Sequence, residues 1–295
     1  MSTQQAPRVW EKTLWKKQPV PDNYIPPASF LSSLERNPNF TPYAYWPLVL
    51  LSCAITQHLS TIFIFLATFV RLNEQLLDPL TLICISVGCF IIGYAIWERG
   101  DYILACQSNK SVNRLKAVKS SILIFLVLMA LSPVLRTLTA ATSSDSIWAL
   151  SAVLFILNAL LADYSSQKTD GQIHERLTSV LSMNAALSAS VVLASRLRTD
   201  VAVFALILFS VQTFALFPML RHRLQASPAI IQTLLALSLS ALAIFLTIPL
   251  SWITTCLFSA TLFSVAFLAP AILVWAQKFK NEIRGPWDVA VPKVN

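Results

Sequence analysis

Long apolar stretches separated by short polar segments make up the chain from residue 46 onward. About 20 apolar residues in helical form cross the hydrocarbon core of a bilayer, and a helix satisfies its own backbone hydrogen bonds there. Stretches of that kind occur before residue 224 at 46–70, 80–97, 120–138, 144–162, 177–195 and 201–220. The pattern therefore predicts an all-α fold, a polytopic transmembrane helical bundle.

The segment from Leu224 to Gln277 contains no charged side chain. A single helix of that length would extend about 80 Å, which is far more than the thickness of a bilayer. We expect the chain to turn back around Pro249, because proline cannot donate to the helix ladder and the nearby Trp252 suits the membrane interface. This turn adds helices seven and eight, so the predicted bundle has about eight helices.

The positions of the cationic residues predict the orientation of the bundle. Of the 22 Lys and Arg residues, 18 lie in the two terminal segments and in alternate loops, and the other 4 lie in the remaining loops. Because Lys and Arg collect on the cytosolic side of a membrane protein, we expect both termini to be cytosolic. The predicted organisation is a cytosolic segment at 1–45, a transmembrane bundle at 46–276 and a cytosolic tail at 277–295.

The composition fits lipid as the surrounding solvent. Hydrophobic residues make up 56% of the chain and charged residues only 12%, against about 25% charged residues in an average soluble domain. The net charge of +8 comes from basic residues that flank the apolar stretches instead of forming one stripe. We therefore predict contact with an anionic membrane surface and no binding of nucleic acid.

The fifth apolar stretch differs from the others in being rich in serine and alanine. Ser182, Ala186, Ala189 and Ser190 are among its small residues. Small side chains let helix backbones approach closely, so we predict that this stretch packs inside the bundle. The alternative is that it is merely a weak span.

The sequence lacks the residue patterns that common catalytic sites require. It contains no Asp-x-Asp pair, no GxSxG or HExxH motif and no phosphate-binding loop, and its five cysteines lack zinc-ligand spacing. We therefore expect no catalytic residue, no metal site and no cofactor in this chain.

A few polar side chains interrupt the predicted spans. For His58 we favour a hydrogen-bonded packing role over a proton relay, because the sequence places no carboxylate at a similar depth. We expect Asn158, Asn184 and Gln212 to form hydrogen bonds between helices. At the end of the fourth span we expect Asp163, which precedes Tyr164, to pair with Arg176 across a short loop.

The polar N-terminal segment carries two features of a binding surface. Trp10 and Leu14 are four residues apart, so they share one face of a helix, while Lys16 and Lys17 can reach anionic head groups. The prolines of the following segment favour an extended recognition strip. The residues of interest in that strip are Pro21, Asp22 and Tyr24.

Ordered blocks of residues along the chain resemble those of a known family. They are Trp10 with QPVPDNY at 18–24, SPVLRTLT at 132–139, DSIWALS at 145–151, DY at 163–164, LSMN at 181–184, LASRL at 193–197, QTFALFPML at 212–220 and GPWD at 285–288. Through these blocks the chain resembles the PIG-C family, a family of membrane subunits of the phosphatidylinositol N-acetylglucosaminyltransferase complex.

The resemblance implies a location and a role. The location is the endoplasmic reticulum membrane, and the role lies in the first step of glycosylphosphatidylinositol anchor synthesis, transfer of N-acetylglucosamine from UDP-N-acetylglucosamine to phosphatidylinositol. Catalysis would belong to the PIG-A subunit, with PIG-H and PIG-P as further partners. This chain would be a non-catalytic membrane scaffold that presents the lipid acceptor. The competing class is a transporter or scramblase for a lipid or small solute.

The residues that we single out as candidates for contact with lipid or with partner subunits combine the cationic, aromatic and polar positions described above. They are Trp10, Lys16, Lys17, Pro21, Asp22, Tyr24, Asp163, Tyr164, Arg176, Asn184 and Trp287. Cations at the cytosolic boundary, among them Lys119 and Arg221, are hypothetical partners of an inositol phosphate.

Overall fold

The computed structural model describes residues 17, 42–104, 110–139, 142–164, 173–224 and 228–280, without the side chains of 99–118, 173–179, 222–223 and 280. The described residues form helices joined by short turns. The helices are α1 (Tyr45–Asn73), α2 (Pro79–Leu104), α3 (Lys110–Thr137), α4 (Ser144–Leu161), α5 (Ile173–Ala194), α6 (Asp200–Val211), α7 (Phe217–Leu224), α8 (Ala229–Thr247), α9 (Trp252–Phe263) and α10 (Ala269–Lys280). Two π-helical segments, Gln212–Leu216 and Ser264–Leu268, join α6 to α7 and α9 to α10.

Seven helices within the described residues are long and apolar enough to cross a membrane. They are Tyr45–Asn73, Pro79–Glu98, Lys119–Thr137, Ser144–Leu161, Asp200–Arg221, Ala229–Thr247 and Trp252–Phe279. The fifth predicted stretch appears as a shorter apolar helix, Val180–Ala194. The predicted polytopic helical bundle is therefore confirmed, and so is the turn at Pro249, which lies between the end of α8 and the start of α9.

The chain divides into two compact units, one formed by Tyr45–Ala271 and the other by Met1–Ala44 with Ile272–Asn295. In the second of these, the backbone N–H of Tyr43 donates to Oε1 of Gln277 at 2.7 Å, and Nε2 of Gln277 donates to the Tyr43 carbonyl at 3.0 Å. The Tyr45–Ala271 unit contains most of the bundle and all of the site described below.

The core of the larger unit is built around α1 and α6. Residues 202–207 of α6 are buried on every side, which is the pattern of a helix enclosed by other helices. Phe65 of α1 is fully buried, and its ring contacts those of Phe155, Phe209 and Phe214 at centroid distances of 5.7, 6.2 and 5.2 Å. These aromatic contacts join α1 to α4, α6 and the first π-helical segment.

Helix α5 packs inside the bundle, most extensively against α4. Ala186, Ala189 and Ser190 are fully buried, and Leu193 and Ala194 beyond them are also enclosed. The prediction that the small residues of this helix allow close packing is confirmed.

Each π-helical segment is followed by a proline at the second residue beyond it. The N–H of Phe217, just before Pro218, donates to the carbonyl of Gln212, and the N–H of Ala269, just before Pro270, donates to the carbonyl of Ser264. Proline lacks the donor for an ordinary helical bond, and its ring crowds the carbonyl four residues earlier. The wider turn provides the room that the ring needs.

Candidate functional site

A group of polar side chains is buried where the ends of α4 and α7 meet α1. Consecutive spans run in opposite directions, so these two ends lie at the face of the bundle where α1 begins, which we call the N-terminal face. His58, Asn158, Ser182 and Arg221 are 7, 3, 4 and 4% exposed. Polar side chains are costly to bury in an apolar bundle unless they are hydrogen-bonded, so their partners are informative.

Asn158 is the centre of a network that joins three helices. Its Oδ1 lies 2.8 Å from Nε2 of His58 in α1, and its Nδ2 donates at 2.9 Å both to the backbone carbonyl and to Oγ of Ser182 in α5. The Ser182 hydroxyl donates back to the Asn158 carbonyl at 2.8 Å. Because an amide oxygen only accepts, this arrangement puts the His58 proton on Nε2.

Tyr164 extends the network beyond the end of α4. Its hydroxyl oxygen lies 3.1 Å from Nδ1 of His58 and 2.7 Å from the carbonyl oxygen of Ala159. Burial raises the pKa of the Tyr164 phenol to about 12, although the neighbouring Arg221 cation acts in the opposite direction. The hydroxyl is therefore protonated at neutral pH and available as a donor.

Arg221 ends the span that began at Asp200. Its Nη1 donates to the Ala54 carbonyl of α1 at 3.2 Å, and its guanidinium carbon lies 5.8 Å from the centre of the Tyr164 ring. Its Nε is buried and has no hydrogen-bond partner among the described residues. A guanidinium has five N–H donors and stays charged, so an unpartnered donor on a buried arginine indicates a place for an acceptor.

These side chains line a cavity of about 150 Å³, which we call the polar cavity. His58, Asn158, Asp163, Ser182 and Arg221 contribute its polar wall. The cavity thus offers a cationic donor beside a carboxylate acceptor. This combination suits a molecule that carries both an anionic group and hydroxyl groups.

A larger cavity of about 430 Å³ lies beside the polar cavity, and we call it the apolar cavity. The two cavities share Thr61, Thr213, Phe217 and Met219 as lining residues. Aliphatic and aromatic side chains of α1, α2, α6, α7 and α8 form most of its wall. The bundle therefore contains a polar compartment and an apolar compartment with a common wall at the N-terminal face.

Gln212 positions the π-helical segment against α2. In the amide orientation that satisfies both groups, its nitrogen donates to the Ser86 carbonyl at 3.0 Å and its oxygen accepts from the Phe90 N–H at 3.2 Å. The expectation of interhelical hydrogen bonds is confirmed for Gln212 and for Asn158.

Only some of the candidate residues lie at these cavities. Asp163 lines the polar cavity, and Tyr164 contacts its residues His58 and Arg221. Asn184, by contrast, lies on the exposed face of α5, where its side chain makes none of the expected hydrogen bonds with the described residues. Lys17 is exposed.

The other candidates lie outside the described residues. They are Trp10, Lys16, Pro21, Asp22, Tyr24 and Trp287, together with the side chain of Arg176. The pairing of Asp163 with Arg176 therefore stays a prediction. Among the residues whose positions are described, no group of three His, Cys, Asp or Glu side chains is placed to hold a metal ion.

Sequence reasoning missed the role of Ser182 and the convergence of Arg221 on His58 and Asn158. The preference for a hydrogen-bonded His58 is confirmed by its two partners. A signal for the convergence exists in the sequence, since Asn158 and Ser182 are polar residues inside spans and Arg221 is a charge at a span end. The pattern does not say which faces of the three helices meet.

Comparison with known proteins gives a consistent family assignment. The family model GPI2, described as phosphatidylinositol N-acetylglucosaminyltransferase, matches residues 10–288. The GPI2 subunit of that enzyme from Schizosaccharomyces pombe is 40% identical over 288 residues, covering 97% of this chain and 87% of the relative. The C-type subunit of the human enzyme is 33% identical over 285 residues, covering 95% of this chain and 92% of the relative.

A third relative, the putative C-type subunit of the enzyme from Dictyostelium discoideum, is 34% identical and covers 95% of this chain and 79% of its own length. No solved structure matches the chain. The resemblance found in the ordered sequence blocks is thus confirmed over nearly the whole length. This chain belongs to the GPI2 family, also called PIG-C, whose members are subunits of phosphatidylinositol N-acetylglucosaminyltransferase.

Proposed function

We propose that this chain is the non-catalytic membrane subunit of a phosphatidylinositol N-acetylglucosaminyltransferase in the endoplasmic reticulum, and that it presents the lipid acceptor. Its partners in this role are the catalytic PIG-A subunit, PIG-H and PIG-P. Two kinds of support exist. The family is that of subunits of this enzyme, and the bundle contains a polar cavity with a buried cation at one membrane face.

The observation that carries the proposal is the unpartnered Nε of Arg221 within the described part of the chain. An arginine that is only 4% exposed, next to a cavity, can donate a charge-assisted hydrogen bond to a phosphate oxygen of the acceptor lipid. Asp163 lines the same cavity and offers an acceptor for inositol hydroxyls. The acceptor would thereby be held at the N-terminal face, which the distribution of positive residues predicts to be cytosolic.

The test is transfer of N-acetylglucosamine to phosphatidylinositol by the assembled complex, with Arg221→Gln in this chain. Loss of a charged hydrogen-bond donor should raise the KM for phosphatidylinositol about tenfold or more. The KM for UDP-N-acetylglucosamine should not change, because PIG-A binds that substrate in this proposal. Recovery of PIG-A together with the purified variant shows that assembly is intact.

Arg196→Gln is the matched control, because Arg196 is an exposed arginine at the opposite end of α5. Its KM for phosphatidylinositol should equal that of the wild type. An unchanged KM in Arg221→Gln would refute lipid presentation by this cavity. Lipid or solute flux through the purified chain, without co-purifying PIG-A, would instead favour the transporter or scramblase class.

A further inference from the structure

We infer that the apolar cavity holds one acyl chain of an anionic phospholipid whose phosphate lies at Arg221 in the polar cavity. This inference rests on the proposed function and deepens it, because it assigns the two parts of the lipid to two separate compartments of the bundle.

The lengths of the two compartments fit one leaflet of the membrane. On α2 the apolar cavity extends from Trp97 at the N-terminal face to Cys89, a distance of about 12 Å along a helix axis. From Leu220 to Phe209 it extends over α7 and α6, about 16 Å. The hydrocarbon core of a bilayer is about 30 Å thick, so the cavity reaches roughly its middle.

The relative sizes explain why the lipid must use both cavities. Typical small-molecule pockets enclose about 300–1,000 Å³. The polar cavity, with about 150 Å³, is smaller than that range, whereas the apolar cavity, with about 430 Å³, lies within it. The polar cavity thus suits a head group alone, and Thr61 and Thr213 lie in the wall where a head group would continue into an acyl chain.

Charge and shape together select the occupant. The buried cation of Arg221 beside the shared wall favours an anion attached to an apolar tail. A transmembrane helix of a partner is about 10–12 Å wide with side chains and needs contact across the whole bilayer. A cavity confined to one leaflet cannot enclose such a helix, but it can enclose a single flexible chain.

Two glycines on α2 provide a matched pair of variants. Gly93 lines the apolar cavity, and a Cβ built on it would lie 4.0 Å from Cδ2 of Leu220, so a longer side chain would extend into the cavity. Gly88 does not line the cavity, and a Cβ there would meet nothing within 4 Å. Gly93→Leu should therefore block the cavity, while Gly88→Leu places the same side chain elsewhere on the same helix.

The experiment measures lipid retention by the purified full-length chain in detergent, using native mass spectrometry. The chain is mixed with dioleoyl phosphatidylinositol, with phosphatidylcholine of the same acyl chains, or with the soluble head group glycerophosphoinositol. We expect preferential retention of phosphatidylinositol. Gly93→Leu should weaken it at least about tenfold, because displacing about two methylene groups is sufficient for such a loss. Gly88→Leu should match the wild type.

A second measurement needs no substitution. Cys89 lines the apolar cavity, and Cys84 on the same helix does not. Phosphatidylinositol should slow alkylation of Cys89 severalfold without affecting Cys84, and glycerophosphoinositol should protect neither. Equal protection of Cys89 by the soluble head group, or no protection by the lipid, would overturn the acyl-chain assignment.

The two proposals can fail separately. Equal lipid retention by Gly93→Leu and Gly88→Leu would remove the acyl-chain site, while a raised KM in Arg221→Gln would leave the proposed function in place. An unchanged KM in Arg221→Gln would remove the phosphate contact on which both proposals depend.

Discussion

At the residue scale, one amide organises the polar interior. Asn158 uses its side-chain oxygen for His58 and its nitrogen for Ser182, and so connects α1, α4 and α5. Hydrogen bonds between membrane helices contribute only about 0.6 kcal/mol each on average. Asn158 matters more than one such bond because its loss would leave polar atoms of two other buried side chains without a partner.

We expect Asn158→Leu to lower the free energy of unfolding by about 1–2 kcal/mol, since the ring nitrogen of His58 and the hydroxyl of Ser182 would lose their amide partner. Reversible unfolding of the purified chain in mixed detergent measures this change. The control is Asn184→Leu, an exposed asparagine on α5, for which we expect a change within about 0.5 kcal/mol. Equal effects of the two substitutions would contradict the role assigned to the network.

At the scale of the helical elements, prolines and neighbouring hydroxyl groups act together. Pro270 cannot donate to the carbonyl of Ala266, four residues earlier. That carbonyl instead accepts a hydrogen bond at 3.2 Å from the hydroxyl of Ser52 in α1. Backbone groups freed by a proline must find partners within the protein when the surroundings are lipid. The π-helical segment Ser264–Leu268 and the buried Ser52 are thus two parts of one adaptation.

We predict that Ser52→Ala destabilises the chain by about 1 kcal/mol when Pro270 is present, because the Ala266 carbonyl then loses its side-chain donor. In a Pro270→Ala background the helix can bond that carbonyl itself, so the same Ser52→Ala change should cost clearly less. A double-mutant cycle of unfolding free energies gives the coupling between the two positions. Additive effects would show that Ser52 does not compensate for the proline.

At the scale of the whole molecule, the alternation of spans decides which ends meet. Arg221 contacts α1 at Ala54, and Tyr164 contacts α1 at His58, so the ends of α7 and α4 lie at the same face of the bundle. The start of α8 lies there too, since Nε2 of Gln57 donates to the Gln232 carbonyl at 2.9 Å. This agreement is what a bundle of alternating crossings requires.

The orientation of that face is a prediction of the charge distribution. Epitope tags on both termini of the chain in sealed microsomes should be digested by added protease, and a tag inserted after Gln75, in the turn between α1 and α2, should be protected. The sequons at Asn39 and Asn109 should stay without glycan, because both lie in segments predicted to be cytosolic. Protection of either terminal tag would refute an even number of crossings with cytosolic ends.

The sequence by itself determined the number and approximate limits of the spans. Lipid requires about 20 apolar residues for each crossing, so the pattern around Trp252 and Pro249 indicated the turn between α8 and α9 without any knowledge of packing. The small residues of α5 likewise indicated an internal helix before its neighbours were known. The ordered blocks indicated the family.

Only the tertiary structure decided which polar residues work together. Asn158 and Asn184 look equivalent in the sequence, yet one is the buried centre of a network and the other lies on an exposed face. In a helix that is apolar on all sides, hydropathy has little periodicity and cannot show which face meets a neighbour. The convergence of Arg221 with His58, and the two cavities beside them, depend on helix rotation, which is set by packing between residues far apart in the chain.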